Sequence, residues 1–195
     1  MSPFFIYCLA LFTIWKNLFL EMFDLTLNFL FELSNHMKLN LKTVIKTINK
    51  FKPLKFRQEV IHQSKYLKII NDSKSTTLSS TVPFLESNEK ILWILGGLFK
   101  KGDKFSLNKK YFKNLEAYIY GKDRQVFHKL FKNKIKVNLS KDLRNTLKLI
   151  PNLKDIRTKV TVLFSPSAAS FDQYKNFEER GRQFNMLIKR YLPIE

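Results

Sequence analysis

VTVLFSPSAASFDQYKNFEERG, residues 160–181, is the most informative stretch of this chain. Its first five residues are β-branched, aromatic or leucine, which is typical of a buried strand. Small and hydroxyl-bearing residues then predict a turn, and a helical pattern follows through Phe184, Leu187 and Tyr191. A helix that opens after such a turn leaves unpaired backbone N–H groups near one point, where a carboxylate or a phosphate can bind. The stretch therefore predicts a strand–turn–helix unit with an anion site.

The rest of the chain repeats this alternation of strands and helices. Two hairpin strands are predicted near residues 56–60 and 66–70, and short apolar strands at 91–95, 117–121 and 136–137. Helical spacing is found at residues 40–51 and from about 79 to 85. The predicted fold class is therefore α/β, a doubly wound, mostly parallel sheet of Rossmann-like type, preceded by a helical arm. In such sheets ligands collect at the carboxyl ends of the strands.

The charge of the chain is strongly positive. It carries 35 Lys and Arg against 16 Asp and Glu, a formal net charge of +19. Such a charge raises nucleic acid as a partner. The positive residues are mostly lysines and are scattered, without the interleaved aromatic and basic residues of an RNA-binding motif, so a solvated basic surface is the favoured interpretation. The single cysteine, Cys8, excludes an internal disulfide and fits a reducing cytoplasm.

The first 35 residues leave several interpretations open. Residues 4–15 are almost wholly apolar, but Lys16 and Asn17 end the run short of the roughly 20 residues of a membrane span. Residues 18–33 are punctuated by acidic side chains, which suits an amphipathic helix. A membrane anchor, a helix that packs on the rest, and a tail left by truncation or frame change all remain alternatives; in the last case Met37 would be a more natural start.

Three segments, in order, resemble motifs of the Mur ligase family, in particular its D-glutamate-adding branch. They are INDSKST (residues 70–76), GGLFKKGDKFS (residues 96–106) and the run at residues 165–181. The resemblance covers roughly residues 38–192 and about the last third of such a ligase. From it we expect three parts: residues 1–35 as an apolar arm of unknown role, 36–54 as the last helix of a central ATP-binding domain, and 55–195 as the C-terminal, glutamate-binding domain.

The resemblance also implies a reaction. In the family, ATP phosphorylates the carboxylate of UDP-N-acetylmuramoyl-L-alanine, and the amine of D-glutamate then attacks the acyl phosphate. This ATP- and Mg-dependent amide bond formation belongs to cytoplasmic peptidoglycan synthesis, and with it to cell shape and division. The ATP and Mg would be held mainly by a central domain outside this chain.

The matching positions imply a set of binding residues. Four side chains would hold the carboxylates of D-glutamate: Lys74, Thr76, Lys100 and Ser170. Two backbone N–H groups would assist them, those of Phe171 and Phe177. Two further residues would reach ATP, Arg57 toward phosphate and Asp72 toward ribose. In the alternative interpretation the lysines are solvated surface charges and the two phenylalanines are core aromatics. The segment between Gly97 and Phe105 is one residue longer than is usual in the family, so Lys101 is an alternative to Lys100 in this role.

One expected motif is absent from the sequence. No Gly-x-x-Gly-Lys-Ser/Thr phosphate loop occurs in the chain. We therefore expect the chain not to catalyse the ligation alone, and a complementing polypeptide would have to supply the nucleotide-binding parts. The alternative is a non-catalytic relic, or a repurposed basic binding module, that keeps the fold.

Overall fold

The computed structural model describes residues 20–50, 54–153 and 156–192, which belong to two compact units divided after Lys52. The described part of the first unit consists of two helices, α1 (Leu20–His36) and α2 (Leu41–Lys50). Helix α2 begins after Asn40, whose side-chain oxygen accepts from the Lys42 N–H at 3.0 Å. The helix predicted from residue 40 is thus confirmed, whereas the apolar run at residues 4–15 lies outside the described residues. No helix in the described ranges is long and apolar enough to cross a membrane.

The second unit is a six-stranded sheet with flanking helices. Its elements in chain order are β1 (Glu59–Gln63), β2 (Leu67–Asn71), α3 (Leu78–Leu85), β3 (Lys90–Gly96), a 3-10 helix (Lys109–Asn114), β4 (Leu115–Tyr120), α4 (Arg124–Phe131), β5 (Lys136–Leu139), α5 (Leu143–Leu149), β6 (Val160–Phe164) and α6 (Phe177–Tyr191). The strand order is β1-β2-β6-β3-β4-β5, and only β1 runs antiparallel to its neighbour. The predicted mostly parallel α/β sheet is confirmed.

Side chains of β3 alternate between two apolar layers. Leu92 and Ile94 belong to a buried cluster that includes Phe184 and Leu187 of α6. Between them along the strand, Trp93 packs in the other direction, with its ring 5.3 Å from that of Phe131 on α4. Helices therefore cover both faces of the sheet. Because side chains on both faces are buried, the central strands are continuous apolar runs in the sequence.

Two element boundaries differ from the sequence-based expectation. Strand β1 begins at Glu59 rather than near residue 56, because residues 54–58 form turns in which Phe56 and Gln58 have φ angles of 60° and 52°. Helix α6 begins only at Phe177, after a long turn segment at residues 165–176. Its start is fixed by Asn176, whose side-chain oxygen accepts from the Glu179 N–H at 2.8 Å.

Candidate functional site

Three loops meet at the carboxyl edge of the sheet. They follow the parallel strands β2, β3 and β6, and we call them loop A (residues 72–77), loop B (residues 97–108) and loop C (residues 165–176). Loop A joins the end of β6 through the Asp72 N–H, which donates to Phe164 O at 2.7 Å. Loops B and C exchange two backbone bonds between Leu98 and Ala169, at 2.9 and 3.0 Å. The three segments singled out in the sequence therefore lie side by side.

Gly97 permits the contact between loops B and C. A Cβ atom at this position would overlap the carbonyl oxygen of Ala169 and lie 3.3 Å from the Cβ of Ala168. Since backbone atoms cannot move aside as a flexible side chain does, any larger residue would separate the loops. The pair of glycines that ends β3 is thus explained by close packing at the candidate site.

Lys74 and Phe177 contact each other directly. The Lys74 ammonium lies 4.0 Å from the centroid of the Phe177 ring, an attractive cation–π arrangement. The backbone of Lys74 is also fixed, because its N–H donates to Phe56 O at 3.0 Å. Phe177 is the first residue of α6, and its N–H has no intrahelical acceptor. The ammonium group of Lys74 thus lies against the first residue of α6, and a helix N-terminus favours anions.

Ser170 lies in a tight turn of loop C. Its carbonyl oxygen accepts from the N–H groups of Gln173 and Tyr174, at 3.2 and 2.9 Å. Ser170 is 3% exposed, and its hydroxyl makes no hydrogen bond with another described residue. The next residue, Phe171, exposes 69% of its surface, so the alternative of a core aromatic fails there. Within the described chain the Phe171 N–H has no acceptor either.

Thr76, Lys100 and Lys101 are all exposed on loops A and B. The Thr76 hydroxyl has no hydrogen bond to a described residue, and the Lys100 carbonyl closes a turn by accepting from the Asp103 N–H at 3.1 Å. No direct contact joins either lysine to Lys74 across the part of the chain that the structure describes. The roles of these three residues stay predictions, and the choice between the two lysines stays open.

The two residues expected to reach ATP have very different environments. Arg57 is exposed on the turn before β1, with its guanidinium accessible to a phosphate. Asp72 is 5% exposed. One of its carboxylate oxygens accepts from the Gln58 N–H at 3.2 Å, and the other accepts from the Ser165 hydroxyl at 2.9 Å. In this arrangement Asp72 ties loop A to loop C, and contact with a ribose would require these bonds to be exchanged.

Asp72 should make the stability of the fold depend on pH. Burial raises the pKa of its carboxyl to about 6, against the opposing effect of the bonds from Ser165 and Gln58. A carboxyl with a raised pKa binds its proton more tightly in the folded state. Its contribution is therefore most favourable below about pH 4 and is lost as pH rises through about 6, at a cost of about 3 kcal/mol.

The variant Asp72→Asn tests this expectation. Asparagine keeps an acceptor for the Gln58 N–H but does not titrate, so the variant should lack this component of the pH dependence. Between about pH 4 and pH 7 the free energy of unfolding of the wild type should fall by about 3 kcal/mol relative to that of the variant. Urea unfolding at several pH values measures this difference. A difference between the two proteins that is the same at both ends of the range would contradict the raised pKa.

A buried group of hydroxyls supports loops A and C from below. The hydroxyl of Thr81 on α3 lies 2.7 Å from that of Ser75, 2.8 Å from that of Ser165 and 2.7 Å from that of Ser167. Sequence reasoning missed this group. Its only signal was the density of Ser and Thr in both motifs, which is equally typical of turns. The hydroxyls bond to one another, which satisfies polar groups in a buried place.

Arg180 is the second feature that sequence reasoning missed. It is fully buried on α6, and its guanidinium donates to Ser73 Oγ at 3.1 Å, to Ser73 O at 2.7 Å and to Ala168 O at 2.9 Å. Its side chain thus touches loop A and loop C at once. The available signal was its place on the apolar face of α6, four residues before Phe184.

No group of three or more His, Cys, Asp or Glu that could hold a metal ion occurs within the described ranges. The donors at the candidate site are ammonium, hydroxyl and N–H groups, which select anions rather than cations. This set of donors would suit a carboxylate or a phosphate.

Sequence similarity to curated enzymes covers most of this chain. No family model matches the chain. The UDP-N-acetylmuramoylalanine–D-glutamate ligase of Hydrogenobaculum sp. is 34% identical over 156 residues, which are 80% of this chain and 38% of that enzyme. The enzymes of the same name from Wolbachia pipientis wMel and Buchnera aphidicola subsp. Schizaphis graminum are 36% and 39% identical, over 73% and 80% of this chain and 28% and 36% of their own length.

A solved structure supports the fold. The UDP-N-acetylmuramate–alanine ligase of Thermotoga maritima matches 82% of this chain and 35% of its own chain, with a TM-score of 0.55 and 16% identity. At this identity the match speaks for the fold alone. Across these comparisons the chain spans between 28% and 38% of the length of each relative.

Proposed function

Because the chain belongs to the Mur ligase family and spans about a third of the length of its curated relatives, we propose that it is the ligase domain that binds D-glutamate and closes over ATP. The reaction would be ATP-dependent amide bond formation between UDP-N-acetylmuramoyl-L-alanine and D-glutamate in peptidoglycan synthesis. Since the reaction consumes ATP and nucleotide-linked precursors, its place is the cytoplasm.

The observation that carries the proposal is the contact between the Lys74 ammonium and the Phe177 ring, which joins loop A to the start of α6 next to loop C. D-glutamate presents two carboxylates, and each requires cationic or N–H donors at short range. We assign the Lys74 ammonium and the Phe177 N–H to one carboxylate, and the Ser170 hydroxyl with the Phe171 N–H on loop C to the other.

These donors would orient the ligand rather than change it chemically. Holding both carboxylates fixes the amine, so that its lone pair can be aimed at an acyl phosphate presented from outside this chain. Among the described residues no carboxylate forms an ion pair with Lys74, and the Phe177 ring supports its side chain instead. Its full charge is then available to the ligand.

ATP and Mg enter the proposal mainly through a complementing polypeptide that carries the phosphate loop. When bound, Mg would neutralise charge on the phosphates. Among the described residues, the exposed guanidinium of Arg57 fits a phosphate contact. Asp72 fits the ribose less well, because both of its carboxylate oxygens are engaged within the domain.

Reconstitution tests the proposal. The purified chain is mixed with a polypeptide that holds the two nucleotide-binding domains of the same ligase, and phosphate release is followed with ATP, UDP-N-acetylmuramoyl-L-alanine and D-glutamate. We expect release that requires both polypeptides and D-glutamate. Lys74→Ala should lower kcat/KM for D-glutamate by about ten- to a hundredfold, because it removes a hydrogen bond from a charged donor to a carboxylate.

Lys189→Ala is the matched control, since Lys189 is an exposed lysine in the last turn of α6. This variant should retain the activity of the wild type. Activity that survives in Lys74→Ala would refute the assigned site. A folded chain that gives no release in any mixture would instead favour the relic or the repurposed basic binding module.

A further inference from the structure

Arg180 is an unusual buried charge. Its exposed fraction is 0%, and its three hydrogen bonds all go to neutral oxygens. The ion pairs among the described residues do not include it. Burying a guanidinium without a contacting carboxylate is costly, so Arg180 contributes little net stability and its role is to be sought in the groups that it contacts.

The partners of Arg180 are adjacent to the proposed D-glutamate donors. Ser73, which accepts two of its bonds, directly precedes Lys74. Ala168, which accepts the third, lies two residues before Ser170. Arg180 itself lies one helical turn after Phe177, and the Ser73 hydroxyl donates to the carbonyl of Phe177 at 2.8 Å. One side chain therefore links all three elements that supply donors.

We propose that Arg180 is the positioning residue of the D-glutamate site: it fixes loop A, loop C and the start of α6 relative to one another without touching the ligand. This inference rests on the proposed function. A binding site needs its groups held to about 0.5 Å, and loops meet that demand only when their backbone is fixed by rigid neighbours. The planar guanidinium does so with three N–H donors in set directions, which a lysine ammonium cannot reproduce.

The charge of Arg180 contributes as well. Near pH 7 the Asp172 carboxylate in loop C acts on it, whereas Tyr120 and Tyr174 are neutral because burial raises the pKa of both phenols. Asp172 forms no ion pair with Arg180 within the described residues, so a part of the positive field of Arg180 extends to the neighbouring anion site. Loss of the guanidinium should therefore weaken the attraction of carboxylates as well as loosen the loops.

Helix α6 has other contacts that keep it in place when Arg180 is changed. The Asn71 side-chain amide donates to Gly181 O at 2.9 Å and to Asn185 Oδ1 at 2.7 Å. Gly181 lies so close to Phe56 that a Cβ atom there would be 2.6 Å from Cγ of the ring. Arg180 variants should therefore retain the fold and lose order mainly in loops A and C.

Amide hydrogen exchange on the full chain tests the positioning role directly. Informative probes are the Lys74 N–H, bonded to Phe56 O, and the Ala169 N–H, bonded to Leu98 O. In Arg180→Lys both amides should exchange about ten- to a hundredfold faster than in the wild type, while amides of β3 keep their rates. The control Arg182→Ala removes an exposed arginine of the same helix and should change neither amide.

A second readout links this order to the ligand. In the reconstituted ligase, Arg180→Lys should raise KM for D-glutamate about tenfold or more and leave KM for ATP unchanged. Free guanidinium ion, added below denaturing concentrations, should partly restore Arg180→Ala but not Lys74→Ala. If Arg180→Ala fails to fold, Arg180→Lys still provides both measurements.

The outcomes separate the two proposals. A wild-type mixture without D-glutamate-dependent release would refute the proposed function, and the exchange rates would still decide whether Arg180 orders the loops. Equal rates in Arg180→Lys and Arg182→Ala would overturn the positioning role even if the wild-type mixture is active. A rise in KM for ATP that matches the rise for D-glutamate would also overturn it, because it would indicate general damage.

Discussion

Replacing Trp93 with alanine should lower the free energy of unfolding by about 3–5 kcal/mol, as expected for deleting a large buried aromatic side chain. Trp93 is fully buried in β3, and its ring stacks on Phe105 at 5.9 Å and meets Phe131 edge-on at 5.3 Å. Alanine would leave a cavity between the sheet, loop B and α4. It would also remove the indole N–H that donates to Ser165 O at 2.9 Å.

Urea unfolding followed by circular dichroism measures this change. Two further variants serve as an intermediate substitution and as an exposed control. Trp93→Phe keeps most of the ring but loses the N–H, so it should fall between alanine and the wild type. Met186→Ala removes a side chain that is 57% exposed on α6 and should change the free energy of unfolding by less than about 0.5 kcal/mol. A loss below about 1 kcal/mol for Trp93→Ala would be inconsistent with the described core.

The same indole bond connects the core with the candidate site. Ser165, its acceptor, also donates to Asp72 and lies against Thr81 in the hydroxyl group. A large cavity at Trp93 should therefore loosen loops A and C in addition to destabilising the sheet. Packing beneath a site and the geometry of the site are coupled here through a single serine.

The sheet was predictable because its signals are local. The central strands β3, β4 and β6 are short apolar runs followed by Gly or Ser, and the helices between strands have regular spacing. The turn at residues 54–58 was not predictable, because Phe56 and Gln58 adopt positive φ angles that are uncommon for residues with a side chain. In this turn the Phe56 ring packs against Gly181, more than a hundred residues away in sequence.

The meeting of the three motif loops was predictable, but the orientation of their side chains was not. Chain order and a parallel sheet bring the strand ends, and with them the loops that the motifs singled out, to one edge. Motif resemblance did not reveal that Asp72 is turned into the domain, since an aspartate beside a strand end has the same sequence pattern in either orientation. Arg180 was missed for a related reason: an arginine on a helix is usually at the surface, and only its burial distinguishes it.

Gly96→Ala should be the most damaging single substitution at the end of β3. Gly96 has a φ angle of +140°, a conformation that residues with a Cβ rarely adopt. The added Cβ would overlap the carbonyl oxygen of Tyr120 and lie 2.9 Å from its amide nitrogen. These atoms belong to β4, which is paired with β3, so relief would require the two strands to separate. We expect a loss of more than about 4 kcal/mol, or an unfolded protein, by urea unfolding.

Gly102→Ala is the comparison variant. Gly102 also has a positive φ angle, +83°, but a Cβ there would meet nothing within 4 Å. It should therefore cost only the backbone strain of a nearly left-handed residue, about 1–2 kcal/mol. The larger loss expected for Gly96→Ala combines the steric overlap between β3 and β4 with the greater strain of an alanine at φ +140°. Equal losses in the two variants would contradict the overlap of the added Cβ with β4.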